Sequence, residues 1–125
     1  MSFFVPGDPV QQGSVSVFNG RVVHQNSVRL KAWRSTIGAI ASEHCLTKLE
    51  GPVGLELIFA IRKPKTVKRL LPFVRPDLDK YIRAALDALT NVAYVDDEQV
   101  CKIVAEKVYS PVPGLFITIY SMNEH

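Results

Sequence analysis

Cysteine and histidine are scarce in this chain, at two and three residues out of 125. Cys45 and Cys101 lie 56 positions apart and belong to no CxxC pair or Cys/His cluster, which excludes a disulfide-stapled scaffold and a zinc site. Thiols used this sparingly are expected to stay reduced, as in the cytoplasm. Long apolar runs are missing too. They reach only a few residues, against the roughly 20 that a bilayer crossing takes, and residues 1–14 lack the basic start and apolar core of a secretion signal. Neither a membrane partner nor export is expected. No GxxxxGK[ST] or GxGxxG phosphate loop occurs. His24, His44 and His125 show no pairing with Ser or Cys of the kind nucleophilic catalysis needs.

What is present describes a soluble globule. With 47% apolar and 22% charged residues and no repeat, the chain is neither disordered nor a solenoid, and its length suits one domain spanning 1–125. The net charge of +3 is unevenly spread. Residues 62–75 hold six basic side chains, Arg62, Lys63, Lys65, Lys68, Arg69 and Arg75, and no acid. Between 77 and 98 follow six of the chain's twelve acids: Asp77, Asp79, Asp87, Asp96, Asp97 and Glu98. Pro64, Pro72 and Pro76 keep the basic stretch extended. Such an arm is either a solvated loop or a surface that gains affinity for phosphates by releasing counterions.

Periodicity places the elements. Residues 2–5 read as a short strand, and Val15–Phe18 and 21–23 flank Asn19-Gly20, a strong hairpin signal. Ser27 can cap a helix with apolar residues at Leu30, Trp33, Ile37, Ile40, Ala41 and His44 or Cys45, so Trp33 is expected in the core rather than as a base-stacking platform. Residues 53–61 alternate with period two and present one strongly apolar face. Leu78, Ile82, Ala85, Leu86 and Leu89 mark one face of a helix over Leu78–Leu89, with Asp79, Arg83 and Asp87 on the other. Val100–Tyr109 and 115–120 read as strands joined by a Ser-Pro-Val-Pro-Gly hairpin loop. The expected fold is α+β: a small mixed sheet covered by two helices on one side, in a single domain.

The acids allow two readings. Asp77 can cap the second helix and Asp79 favour its dipole, Asp79 and Arg83 have the order and spacing of an i,i+4 ion pair, and Asp96-Asp97 can be an exposed turn. Alternatively, the return through residues 90–95 brings Asp96 or Asp97 back beside the helix start. Three converging carboxylates repel unless a cation holds them, and hard oxygen ligands select Mg²⁺ or Mn²⁺. The first reading leaves a non-catalytic nucleic-acid-binding module. The second makes a phosphodiester-cleaving enzyme.

Arg75-Pro76-Asp77-Leu78-Asp79-Lys80, continuing through Ile82-Arg83-Ala84-Ala85-Leu86-Asp87-Ala88-Leu89 to Asp96-Asp97-Glu98-Gln99-Val100, resembles the signature of the RusA-type Holliday-junction resolvases. Phe4-Val5-Pro6-Gly7 and Leu30-Lys31-Ala32-Trp33-Arg34 resemble the family as well. The resemblance implies a homodimeric, Mg²⁺-dependent endonuclease that cuts four-way or branched DNA symmetrically, with one active site per subunit. It places the metal ligands on Asp77, Asp79 and Asp97. The family's catalytic lysine falls on Arg83, which keeps the positive charge but cannot donate a proton at neutral pH. Lys80 stands where the family has Asn and is a candidate for the missing lysine's role. The arm Arg62, Lys63, Lys65, Lys68, Arg69 and Arg75 is then the DNA-contacting surface, with Arg29, Lys31 and Arg34 as further phosphate contacts. Paired nicks need two equivalent sites, which a two-fold dimer supplies.

Overall fold

A computed structural model describes residues 1–12, 15–18, 21–24 and 27–122, with 15–18 and 21–24 described by their backbone. The elements run β1 (Ser2–Pro6), β2 (Val15–Phe18), β3 (Arg21–His24), α1 (Ser27–His44), β4 (Val53–Ile61), α2 (Leu78–Leu89), a 3-10 turn (Asp97–Gln99), β5 (Val100–Tyr109) and β6 (Gly114–Ser121). Four strands form a mixed sheet in the order β1-β6-β4-β5, and β2 and β3 pair separately as an antiparallel ribbon. This is the expected α+β domain. The ribbon strands agree with the hairpin reading, while Asn19 and Gly20 lie outside the described residues. Ser27 is the first residue of α1 rather than its cap.

The period-two pattern of β4 has its cause in the core. Val53, Leu55, Leu57 and Phe59 are buried, as are Leu115, Ile117 and Ile119 of β6 and Val5 of β1. Against them pack Leu30, Trp33, Ile37 and Ala41 of α1 and Tyr81, Ala84, Ala85, Ala88 and Leu89 of α2. Phe59 and Tyr81 stack with ring centroids 5.3 Å apart. The buried face of α2 therefore includes Tyr81, which its apolar spacing did not single out, and the small side chains of Ala84, Ala85 and Ala88 let the helix sit close to its neighbours. Trp33 is a core residue, as expected. Gly114 is required by a crossing: a Cβ there would meet the Phe4 ring and stand 2.6 Å from the Val5 carbonyl oxygen.

One connection differs from the sequence reading. Residues 110–113 do not close a hairpin, because β4 lies between β5 and β6, parallel to the first and antiparallel to the second. The cause is the β4–α2–β5 crossover: a strand that follows a helix packed on the sheet returns parallel to the strand before that helix. This crossover also sets the polarity of the site. The last turn of α2 lies at the beginning of β5, and the first turn lies at its end.

Candidate active site

The loop that leaves α2 is firmly placed. Thr90 ends the helix, and Asn91 takes a positive φ of 66°, a conformation Asn tolerates better than most residues. Ala93 and Tyr94 then turn into the core, where the Tyr94 hydroxyl donates to the Leu86 carbonyl at 3.2 Å. Burial pushes the Tyr94 hydroxyl far above its ordinary pKa, so it stays protonated as that donor. Asp96 caps the 3-10 turn by accepting from the Glu98 amide at 3.0 Å. Gln99 completes the fixation: its side-chain oxygen accepts from the Val95 and Asp96 amides, and its nitrogen donates to the carbonyls of Leu49 and Gly51 at 2.9 and 3.0 Å. The turn carrying Asp97 is thereby tied to the segment entering β4.

A second tie acts at the opposite end. Lys107, near the end of β5, donates from Nζ to the carbonyls of Val74 and Pro76 at 2.6 and 2.7 Å. The basic arm is pinned where it enters α2, one residue before Asp77. Sequence reasoning missed both Gln99 and Lys107, because a side chain bonded to backbone so remote in the chain leaves no local pattern.

These ties decide which carboxylates meet. Asp77 and Asp79 stand at the start of α2, whereas Asp97 lines a groove of about 230 Å³ with Gln12, Arg83, Leu86 and Asp87 along the middle of the helix, reaching back through Gln12, whose amide donates to the Lys80 carbonyl at 3.0 Å. Asp97 thus faces α2 at Arg83 and Asp87, about one and two turns beyond Asp79, and does not form a three-acid cluster with Asp77 and Asp79. The parallel pairing of β5 with β4 fixes the turn that carries it. Among the described residues, no three His, Cys, Asp or Glu side chains come together closely enough to hold a metal ion. Asp97 feels other acids nonetheless: its carboxyl is raised above the usual range by a hydrogen bond with the Asp96 carboxyl, then by loss of water and by the charges of Asp96 and Asp87.

Capping and ion pairing account for few of these acids. Asp77 occupies the cap position with extended backbone, yet its side chain makes no cap hydrogen bond. Asp79 and Arg83 do not form the ion pair their spacing allows, since among the described residues the only salt bridge is Arg62 to Asp8 at 3.7 Å. Asp96, not Asp97, does the capping. Asp77, Asp79, Asp97 and Arg83 are all exposed, and the fold uses none of them in a cap or an ion pair. Lys80 is half-buried on the same first turn. Exposed carboxylate oxygens of this kind have the donor chemistry of a hard divalent cation.

The arm contributes a second surface. Arg62, Lys63 and Lys65 border an open cleft of about 520 Å³ with Tyr109, Ser110 and Pro111, and the Lys63 ammonium lies 5.8 Å from the centre of the Tyr109 ring. Further along, Lys68 and Arg69 precede Leu70 and Phe73, which are 86% and 79% exposed. Leu71 and Val74 are exposed beside them, and the reading of this stretch as simply basic overlooked these apolar side chains. A cationic arm thus runs into a row of carboxylates that the fold does not consume, a surface suited to an anionic polymer.

Comparison with known proteins agrees. The model of the RusA endodeoxyribonuclease family matches residues 6–120, and the chain belongs to that family. An uncharacterised protein of Bacillus subtilis (strain 168), YqaN, is 31% identical over 138 aligned positions, covering 98% of this chain and 97% of its own. Family membership makes the chain an endodeoxyribonuclease of the Holliday-junction-resolvase type, in a family whose nucleases depend in general on divalent metal. Among the described residues no helix is long and apolar enough to cross a membrane.

Proposed function

We propose that this protein is a Mg²⁺-dependent, structure-selective endonuclease that resolves four-way or branched DNA by paired symmetric nicks, acting as a homodimer. Asp77, Asp79 and Asp97 are the residues we assign to the metal, with Mn²⁺ able to replace Mg²⁺, and Asp97 has to be brought to the other two for all three to act together. The observation that carries this reading is that Asp77 and Asp79 are exposed at a helix start without the cap bond or ion pair that would give them a structural task. When bound, a divalent cation polarises the scissile phosphate and lowers the pKa of a coordinated water.

The chain's own residues supply the rest. Arg83, one turn beyond Asp79 and beside Asp97 in the groove, keeps its charge throughout the working pH range and stabilises negative charge growing on the phosphate oxygens. Lys80 adds a second cation on the same turn. The arm Arg62, Lys63, Lys65, Lys68, Arg69 and Arg75 holds the DNA backbone by counterion release. Exposed Leu70 and Phe73 suit bases that are already unstacked, which a branch point offers and a continuous duplex does not. That favours junctions over linear DNA.

The test separates binding from cutting. Asp77→Asn and Asp97→Asn proteins are each expected to bind a synthetic four-way junction with near wild-type affinity and to leave it uncut in Mg²⁺. Full cleavage by either variant removes that residue from the site. Salt-sensitive binding by the wild-type protein, without cleavage in any divalent metal, makes the chain a non-catalytic nucleic-acid-binding module instead.

A further inference from the structure

The two edges of the main sheet are treated differently. β1, at one edge, has five residues and ends on Pro6, a short edge closed by a residue that cannot donate. β5, at the other, has ten residues and no proline, and after a register shift at Cys101 it keeps an unbroken register with β4 from Lys102 to Tyr109. Among the described residues no backbone other than that of β4 pairs with β5 between Val100 and Tyr109. Cys101, Lys102, Ile103, Val104 and Glu106 are exposed along it, with Val104 at 53%. A long, unpaired edge that is regular from Lys102 onward and bears apolar side chains is a template for another strand.

Charged residues at an edge usually repel a second strand, and here Lys102 and Glu106 are the charges. Their spacing has the opposite effect for one partner. They lie two residues either side of Val104 on one face of the strand, so in an antiparallel pairing of two copies centred on Val104 each Lys102 stands opposite a Glu106. Opposite charges at directly facing positions stabilise such a pair, and shifting the register by one residue would oppose Lys102 to Lys107. The edge is complementary to itself in one register.

We propose that the outer edge of β5 is the surface on which a second copy of this chain docks, antiparallel about Val104, joining two sheets into one. The pairing sets the beginning of one β5 beside the end of the other. Lys107 ties the end of β5 to the residue before Asp77, and Asp97 precedes its beginning. The partner subunit's Asp97 therefore arrives at the same end of the joined sheet as this chain's Asp77 and Asp79, the meeting that a single chain does not achieve. This last consequence rests on the metal-ligand assignment proposed above, whereas the docking edge stands apart from it.

Sedimentation equilibrium and cross-linking test the edge without reference to activity. Lys102→Glu and Glu106→Lys are each expected to weaken the dimer about tenfold, since two like-charged pairs replace two attractive ones, and the double swap is expected to restore it. In a Cys45→Ser, Cys101→Ser background, Val104→Cys is expected to oxidise to a disulfide-linked dimer, because facing residues in an antiparallel pair lie within disulfide reach. A wild-type dimer indifferent to both swaps, with no Val104→Cys cross-link, overturns the edge but leaves a nuclease dimer standing. A monomer that still nicks junctions overturns the edge and the dimer, and leaves the nuclease assignment intact. Mixed dimers of Asp77→Asn and Asp97→Asn subunits are expected to regain single-strand nicking, because one of their two composite sites then carries all three acids. Their failure, with the cross-link present, confines each site to one chain and overturns the shared meeting of acids.

Discussion

Replacing Lys107 by Met removes the tie between the end of β5 and the arm while keeping the apolar stem that packs beside it. Two hydrogen bonds from an ammonium disappear, to Val74 at 2.6 Å in an exposed setting and to Pro76 at 2.7 Å in a partly buried one. Bonds of a charged donor contribute about 1.5–3 kcal/mol each. Ordering a lysine side chain costs up to about 2 kcal/mol, and the exposed bond is worth less than its partner. The net is about 2 kcal/mol, or roughly a 30-fold rise in opening of the segment that delivers Asp77. Hydrogen exchange read by mass spectrometry on peptides covering residues 70–80 is expected to show that rise. Peptides from β4 and β6, which lie in the core, are expected to keep their protection. The junction-cutting rate is expected to fall with junction affinity almost unchanged, because the arm's cations remain. Unchanged exchange at 70–80 would refute the claim that Lys107 positions the entry to α2.

Other consequences are equally direct. Phe59→Ala empties a fully buried site beneath Tyr81 on the central strand β4 and is expected to cost about 3–5 kcal/mol in urea unfolding; a loss under about 1 kcal/mol contradicts the packing described. Asp97 is raised by Asp96 and Asp87, so the folded state holds its proton to higher pH than the unfolded chain does. Its contribution to stability is greatest below the ordinary carboxylate range and falls as pH rises through the raised value. Asp96→Asn keeps the cap acceptor but removes the neighbouring acid, and carbon-detected NMR titration is expected to show the Asp97 carboxyl moving down. No movement shows that Asp96 is not the cause. Lys65→Ala with Lys68→Ala is expected to reduce the slope of log affinity against log salt by about 2, one for each phosphate that is no longer neutralised. An unaltered slope removes both residues from the DNA surface.

The elements with strong local patterns were legible in the chain. β4 was readable because one face of it is the core, and α2 because its apolar residues recur at helical spacing after an acid. Tyr81 was overlooked because alanines and a tyrosine carry little weight as hydrophobic markers, although they form the buried face. The position of β4 between β5 and β6 had no local sign, since strand neighbours are chosen by the crossover and not by loop length. The acids are a similar case. Asp77, Asp79 and Asp97 were recognisable as candidates by type and spacing, but that Asp97 lies with Arg83 and Asp87 rather than in a cluster with the other two had no local sign. Gln99 and Lys107 show a further limit: both fix the segments next to the candidate acids through backbone carbonyls remote in sequence. Capping and ion pairing were a sufficient account of Asp77 and Asp79 from spacing alone, and the structure weakens that account by showing those bonds unmade.

Metal-dependent cutting of branched DNA by the exposed carboxylates is tested most directly in one gel. The purified protein is incubated with an end-labelled four-way junction, a fork and a linear duplex, with and without Mg²⁺. Paired nicks at symmetric positions across the four-way junction in Mg²⁺, little cutting of the duplex, and intact DNA in EDTA are the expected result. Cleavage that persists in EDTA, or that treats duplex and junction alike, contradicts it.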